Sequence, residues 1–155
     1  MTQATLSNPQ TGAASLRDTS RSLPIALLRA RETVMGPIRL MLADADVTEQ
    51  QWRVLRVLDE GGTMDPKDIA QRSCLLMPSL TRIMQNLDEK GLISRMPHER
   101  DRRKILVKIT PAGVDLISRN APRSNEIFAR LEAKLGSQKL EQLLDLLNDL
   151  DELDL

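Results

Sequence analysis

The sequence has few of the side chains that most enzyme and metal sites require. Its 155 residues include one Cys, one His, one Trp, one Phe and no Tyr. One cysteine cannot form an internal disulfide. With one histidine, a Ser/His/Asp or Cys/His centre would have only His98 as its base, and a metal site would have to be built almost wholly from carboxylates. We therefore expect no enzymatic activity, no metal and no cofactor.

The chain also lacks long apolar runs and an apolar leader. Its hydrophobic stretches are a few residues long, far short of the roughly 20 that cross a bilayer, and residues 1–20 are mainly Thr, Ser, Ala and Gln. Hydrophobic residues make up 41% and charged residues 28%, as in ordinary globular domains. These features predict a single cytoplasmic domain with no membrane partner.

Charge is unevenly distributed along the chain. Basic and acidic residues both total 22, so the net charge is zero. Residues 66–110 nevertheless carry 10 basic and 5 acidic side chains, whereas residues 136–155 carry 1 and 6. A local basic block favours contact with a polyanion, because neutralised phosphates release counterions. A solvated surface is the alternative.

Hydrophobic spacing predicts a mainly helical amino-terminal half. The apolar pattern over residues 23–42 predicts one long helix that Pro37 bends or interrupts. Thr48 and Gln51 have the spacing of a capping box, which predicts a second helix over about 49–60.

Two short helices and a hairpin are predicted next. Asp65 and Pro66 are typical of a helix start, and another helix begins near Met77. Residues 92–96 and 104–109 have β character and enclose a polar tip with three arginines. The order helix, turn, helix, hairpin is that of a winged helix-turn-helix. The later of the two helices has an apolar stripe at helical spacing, predicted to be buried: Leu80, Ile83, Met84 and Leu87.

Two further helices are predicted in the carboxy-terminal part. The first runs from Pro111 to about Leu135, with Pro122 bending or splitting it. The last carries leucines on more than one side, including Leu146 and Leu153, which is more apolar surface than a monomer of this size hides easily. This pattern favours packing against a second copy, with an intramolecular cap helix as the alternative.

Three short runs together identify a family. They are Pro-Ser-Leu-Thr-Arg at 78–82, Asp-Arg-Arg at 101–103 and Ile-Thr-Pro-Ala-Gly at 109–113. In this order and spacing they resemble the MarR family of bacterial transcription regulators. The run Leu-Met-Pro at 76–78 is most similar to its subgroup of homoprotocatechuate degradation operon regulators.

The resemblance implies a mainly α fold with a small β-hairpin wing, in a triangular homodimer. It implies a flexible arm over residues 1–20, a dimerisation helix over 21–47, a winged helix-turn-helix DNA-binding region over 48–110 and dimerisation helices over 111–155, within one integrated domain. The implied function is a sequence-specific repressor that binds a pseudo-palindromic operator in double-stranded DNA and is released by a small aromatic or phenolic carboxylate.

The second helix of the predicted helix-turn-helix, which begins near Met77 and is called the recognition helix, supplies the first predicted DNA contacts. In a helix-turn-helix the second helix enters the major groove, where Arg pairs with guanine and Gln with adenine. Arg82 and Gln85 are therefore the predicted base readers. Ser79 and Thr81, near the helix start, are placed to contact phosphates or base edges, and we expect them to position the helix on the DNA as much as they specify sequence. For each of these residues, an ordinary exposed helix position is the alternative.

The wing supplies the second set of predicted contacts. Similar regulators carry an Asp-x-Arg motif there, matched by Asp101 and Arg103, in which the Asp orients an arginine that probes the minor groove. Arg102 is an equal candidate for insertion, and Arg100 and Lys104 would flank the DNA backbone. A solvated hairpin tip is the alternative.

Effector binding is the least constrained prediction. Similar regulators bind small aromatic carboxylates between the dimerisation helices and the winged module, which requires a cation and an apolar wall. The candidates are Arg21, Met35, Arg39 and Trp52, with core packing as the alternative for Trp52.

Cys74 leaves a second regulatory hypothesis open. A thiol-based redox sensor requires an exposed, activated cysteine, but the apolar residues that follow Cys74 favour burial as a small apolar side chain. A helical protein-interaction module, with an incidental basic block, is the alternative from another functional class.

Overall fold

A computed structural model of the chain describes residues 15–154, so the arm predicted for 1–20 lies outside the described residues up to position 14. The chain divides into two compact units, one ending at Thr33 and one comprising Val34–Leu155. In the first unit, a 3₁₀ turn over Thr19–Arg21 precedes a long helix. In the second, helices pack against a two-stranded antiparallel hairpin.

The described elements occur in the predicted order, with boundaries within a residue or two of those expected. They are α1 (Leu23–Asp44), α2 (Glu49–Gly61), α3 (Pro66–Arg72), α4 (Met77–Glu89), β1 (Ile93–Pro97), β2 (Ile105–Ile109), α5 (Pro111–Leu135) and α6 (Ser137–Asp151). None of the helices within residues 15–154 combines the length and apolar character needed to span a membrane.

Prolines inside the two longest helices do not divide them. Pro37 lies within α1 and Pro122 within α5, and each helix is continuous through its proline. A proline removes one backbone donor and crowds the carbonyl four residues earlier. The interruption considered for α1 and the splitting considered for α5 are therefore not observed, because the rest of each backbone ladder holds.

Side chains cap the starts of three helices. The capping box at α2 is present: Gln51 N donates to Thr48 Oγ1 at 3.1 Å, and Thr48 N donates to Gln51 Oε1 at 3.0 Å. Asp65 caps α3, and Thr110 caps α5 by accepting from Gly113 N at 3.2 Å. These local caps fix where the winged module's helices begin.

The hydrophobic core lies in the second unit. There α2, α3 and α4 pack with the end of α1, the hairpin and the start of α5. The stripe predicted for α4 is buried in full, so the opposite side of that helix is left to solvent.

The hairpin has a third, very short partner. β1 pairs with β2 in a register that sets Ile93 opposite Ile109. Met64, between α2 and α3, exchanges two backbone hydrogen bonds with Val107, at 3.0 and 2.9 Å. The base of the hairpin is thereby attached to the helical core, which leaves its tip to project.

The burial expected for Cys74 is wrong: its side chain is exposed. Its backbone is left-handed, with φ of 52°. The neighbours on either side are turned inward instead, with Ser73 buried and its Oγ donating to Ile69 O at 2.5 Å, and Leu75 packed against the core. The tight turn between α3 and α4 therefore directs the thiol outward.

Candidate nucleic-acid interface

The outer face of α4 is polar and largely exposed. Arg82 and Gln85 both lie there in solvent, and Gln85 Nε2 donates to Glu89 Oε1 at 3.3 Å. Thr81 is exposed, with its hydroxyl donating to Met77 O at 3.0 Å, while Ser79 is half-buried. Arg82 has no ion pair among the described residues, so its guanidinium can reach an external acceptor.

Asn86 differs from its neighbours on α4 because it is tied to another helix. Gln51 Nε2, in α2, donates to Asn86 Oδ1 at 2.7 Å. The sequence identified Gln51 only as a capping residue, since its amide oxygen alone takes part in the local motif. The bond made by its nitrogen spans 35 residues and has no local sequence signal.

At the wing tip, Asp101 holds Arg103. Asp101 Oδ1 accepts from Arg103 N at 3.1 Å and from Arg103 Nε at 3.2 Å. The backbone N–H of Arg103, and then its side chain, hold the pKa of Asp101 below its usual value. The Arg103 side chain is 91% exposed and that of Asp101 32%. The carboxylate thus orients an arginine that projects into solvent.

The remaining wing cations are exposed and less constrained. Arg100, Arg102 and Lys104 have no ion pair among the residues described. The backbone N–H of Arg100 donates to His98 Nδ1 at 3.2 Å. Of the two arginines considered for insertion, Arg103 is the one that Asp101 holds, whereas Arg102 borders a shallow hollow beside the strands.

Two contacts attach the wing to the recognition helix. Arg95 in β1 donates to Asp88 Oδ2 in α4 from Nε at 3.0 Å and from Nη2 at 2.7 Å. Thr110 Oγ1 donates to Gly91 O at 2.6 Å, just after α4 ends. The helix face and the arginine-rich tip therefore belong to one connected module.

The predicted effector residues lie in different parts of the chain. Arg21 ends the 3₁₀ turn in the first unit. In the second unit, Met35 packs at the edge of the core and Trp52, at 8% exposure, lies within it. Arg39 Nη1 lies 3.5 Å from Glu49 Oε2, in the first turn of α2. Glu49 and Trp52 are three residues apart and share a face of α2, so Arg39 is held near that face.

Arg53, beside Trp52 in α2, was missed by sequence reasoning. It is half-buried, and its Nε has no hydrogen-bond partner among the described residues. A buried donor without an acceptor costs roughly 1–3 kcal/mol. Of the two arginines in α2, Arg56 is exposed and Arg53 is not, and the sequence alone gives no signal of this difference.

The apolar surface of α6 remains uncovered in the single chain. No residue of α6 is buried, and Leu146 is 65% exposed. Further large apolar side chains are exposed along α5 and α6: Phe128, Leu135, Leu143, Leu144 and Leu147. An intramolecular cap helix would bury part of this stripe, so that alternative has no support in the structure.

Within residues 15–154, no group of three His, Cys, Asp or Glu side chains is placed to hold a metal ion. The site's chemistry is that of hydrogen-bond donors and guanidinium groups on a projecting surface. Such an arrangement suits recognition of phosphates and base edges.

Comparison with known proteins gives concordant matches. The model of the MarR family matches residues 47–105. The chain is 39% identical over 129 residues to the HTH-type transcriptional regulator FarR of Neisseria gonorrhoeae, covering 83% of this chain and 88% of that protein. It is also 39% identical over 128 residues to the homoprotocatechuate degradative operon repressor of Escherichia coli, covering 83% of this chain and 86% of that protein.

A solved structure extends the likeness to the fold. The crystal structure of NadR in complex with 4-hydroxyphenylacetate superimposes with a TM-score of 0.78 at 36% identity. The match covers 90% of this chain and 99% of that one. The winged helix-turn-helix interpretation of the sequence is thereby confirmed.

Proposed function

The chain belongs to the MarR family of transcriptional regulators, and we propose that it is a dimeric repressor whose release from its operator is triggered by a small aromatic carboxylate. Regulators of this family bind operator DNA. The proposal assigns base reading to the outer face of α4 and minor-groove contact to the wing tip. The relatives are regulators rather than enzymes.

The observation that carries the DNA-binding assignment is the pairing of Asp101 with Arg103 beside an unobstructed α4 face. An oriented guanidinium loses less rotamer freedom on binding than a free one. The narrow minor groove of A·T tracts concentrates negative potential, which suits an inserted arginine. Arg82, on α4, would donate twice to a guanine in the major groove.

Selection of bound fragments from sheared genomic DNA at physiological salt tests this assignment. We expect enrichment of a pseudo-palindrome with half-sites about one turn, roughly 34 Å, apart. On that operator, Arg82→Ala should relax sequence preference, whereas Arg103→Ala should weaken binding more uniformly. If both variants bound it as the native chain does, the assigned contacts would be wrong.

The exposed leucines of α6 support a dimer. A contiguous apolar stripe without cover is typical of a subunit interface. Leu146→Glu should shift the chain toward monomer and weaken operator binding, because two half-sites would no longer be bound together. Gln138→Glu adds the same charge to α6 away from the stripe and should leave both properties unchanged. Sedimentation equilibrium distinguishes these outcomes, and an unaltered Leu146→Glu dimer would refute the interface.

Aromatic carboxylates are the proposed effectors because NadR was crystallised with 4-hydroxyphenylacetate. In this chain the proposed cation is Arg39, with Met35 and Trp52 as the apolar wall. These three residues belong to the second unit, whereas Arg21, the other predicted cation, belongs to the first. The unpartnered Nε of Arg53 adds a donor that a carboxylate would satisfy.

Titration of the operator complex with 4-hydroxyphenylacetate tests the ligand class. 4-Methylphenol keeps the phenol ring but has no carboxylate. We expect release by the acid and not by the phenol, because the guanidinium contacts need an anionic partner. Equal release by both compounds, or by neither, would contradict the assignment.

A further inference from the structure

The side-chain amide of Gln51 makes one hydrogen bond at the start of its own helix, α2, and one to a second helix, α4. Its Oε1 accepts from Thr48 N at 3.0 Å, which closes the capping box of α2. Its Nε2 donates to Asn86 Oδ1 in α4 at 2.7 Å. Gln51 is 8% exposed, whereas Asn86 is exposed, so the bond between them is partly buried.

Asn86 lies on the helix that carries the predicted base readers. It is four residues after Arg82 and directly follows Gln85, so a restraint at Asn86 acts on both through a rigid helix. A second tie lies one turn further on, where Lys90 Nζ donates to Asp46 O at 2.6 Å. These polar residues line one hollow of about 260 Å³ between α2 and α4.

The apolar stripe of α4 alone leaves the position of the helix incompletely specified. Hydrophobic contact is non-directional, so apolar burial restrains a small rotation or sliding of α4 less sharply than a directional bond does. A hydrogen bond weakens steeply when its distance and angle change. The bond to Asn86 therefore adds a directional restraint on α4 to the restraint that its packed side chains provide.

We propose that Gln51 and Asn86 are positioning residues: the hydrogen bond between them sets the orientation of α4 for base reading. The proposal rests on the proposed function, because it concerns operator affinity. It corrects the simplest interpretation of Asn86, which is that of one more polar side chain on the DNA-facing surface.

The chemistry of the pair allows a matched set of variants. Asn86→Asp keeps an oxygen for Gln51 Nε2. Gln51→Glu keeps the oxygen that caps α2, and the amide of Asn86 can then turn to present its NH₂ group. Only Gln51→Glu combined with Asn86→Asp leaves two carboxylates facing each other with no donor between them, while each single variant retains a bond. Lys90 lines the same hollow, but its effect on an Asp at position 86 is the same in the single and double variants and cancels in the comparison.

Operator affinity should therefore be non-additive in this cycle. Each single variant changes charge, but that effect also occurs in the double variant and cancels in the coupling. We expect the double variant to bind about tenfold more weakly than the product of the two single fold-changes predicts. The reason is that a smaller fraction of the molecules holds α4 in the position that binds DNA. Gln50→Glu with Asn86→Asp carries the same charges on an exposed α2 position and should be additive.

Two further measurements separate positioning from a merely structural role. Lowering the pH should restore affinity to the double variant relative to the native chain, because two facing carboxyl groups can share one proton. Ile117→Val, which shortens a buried side chain in α5, provides a chain of reduced stability for comparison, and it should retain operator affinity while folded.

Additive affinities in the Gln51/Asn86 cycle would overturn the proposal, even if the free energy of unfolding showed coupling. Failure of the native chain to select any operator would instead refute the proposed function. In that case the positioning bond is still tested by amide NMR, where slow exchange of the Gln51 side-chain NH₂ is expected in the native chain and fast exchange would exclude the bond.

Discussion

Gly113 occupies a position where a single methyl group has a large expected effect. It lies in the first turn of α5, where its N–H donates to Thr110 Oγ1. A Cβ built there would lie 2.4 Å from Leu92 O and 2.6 Å from Ile109 Cγ1. Favourable contacts between carbon atoms begin near 3.5 Å, so the surrounding backbone would have to move by about 1 Å.

That movement has a definite cost. Leu92 O also accepts from Thr110 N at 3.1 Å, so displacing it strains the bond that joins α5 to the residue before β1. Overpacking costs roughly 1–3 kcal/mol, and a strained hydrogen bond adds up to about 1 kcal/mol. The higher helix propensity of alanine returns at most about 1 kcal/mol. The middle of these ranges puts the destabilisation by Gly113→Ala at about 2 kcal/mol.

Urea unfolding of Gly113→Ala, followed by circular dichroism, measures this loss. Thermal unfolding should show a midpoint lowered by about 2–4 °C per kcal/mol for a chain of this size. Ser118→Ala, at an exposed position of the same helix, is the control. It should change the free energy of unfolding by no more than about 0.5 kcal/mol. A Gly113→Ala chain as stable as the native one would refute the reasoning.

Three further predictions concern the site. Asp101→Asn should weaken operator binding about two- to fivefold by releasing Arg103, whereas a purely electrostatic tip would bind more tightly once the negative charge is removed. The pKa of Asp101 is lowered from its usual 3.8. The Asp101–Arg103 pair therefore persists above pH 3.8 and is lost only as the pH falls through the lowered pKa. The ratio of native to variant affinity should accordingly be constant between about pH 5 and 8. Arg39→Gln should raise the concentration of aromatic acid needed for release several-fold, with Arg119→Gln, another exposed ion-paired arginine, as the unaffected control. The Cys74 thiol has no hydrogen bond or ion pair among the described residues, so peroxide should leave operator binding unchanged, and a loss abolished by Cys74→Ser would instead establish redox sensing.

Local sequence patterns were sufficient for the secondary structure and for part of the site. The capping box of Thr48 and Gln51 predicted the start of α2, and the apolar stripe of α4 predicted which face is buried. The Asp101–Arg103 contact was also accessible, because its partners are two residues apart at a hairpin tip. In each case the interacting groups lie within one turn or one loop, so their spacing along the chain carries the information.

Other features depended on how the elements pack. The exposure of Cys74 follows from a left-handed residue in a tight turn, and its apolar neighbours pointed to the opposite result. The continuity of α1 and α5 through their prolines likewise depends on the rest of each helix, since a proline by itself predicts a break as readily as a bend.

The sequence by itself determined the order of the helices, the caps that start them, the hairpin with its arginine-rich tip, and the family. Only the tertiary structure decided that Gln51 bonds Asn86, that Arg95 holds Asp88, and that Met64 pairs with Val107. The physical reason is that caps and amphipathic stripes are formed by neighbours in the chain. Hydrogen bonds between elements exist only once non-local packing has brought their partners within about 3 Å of each other.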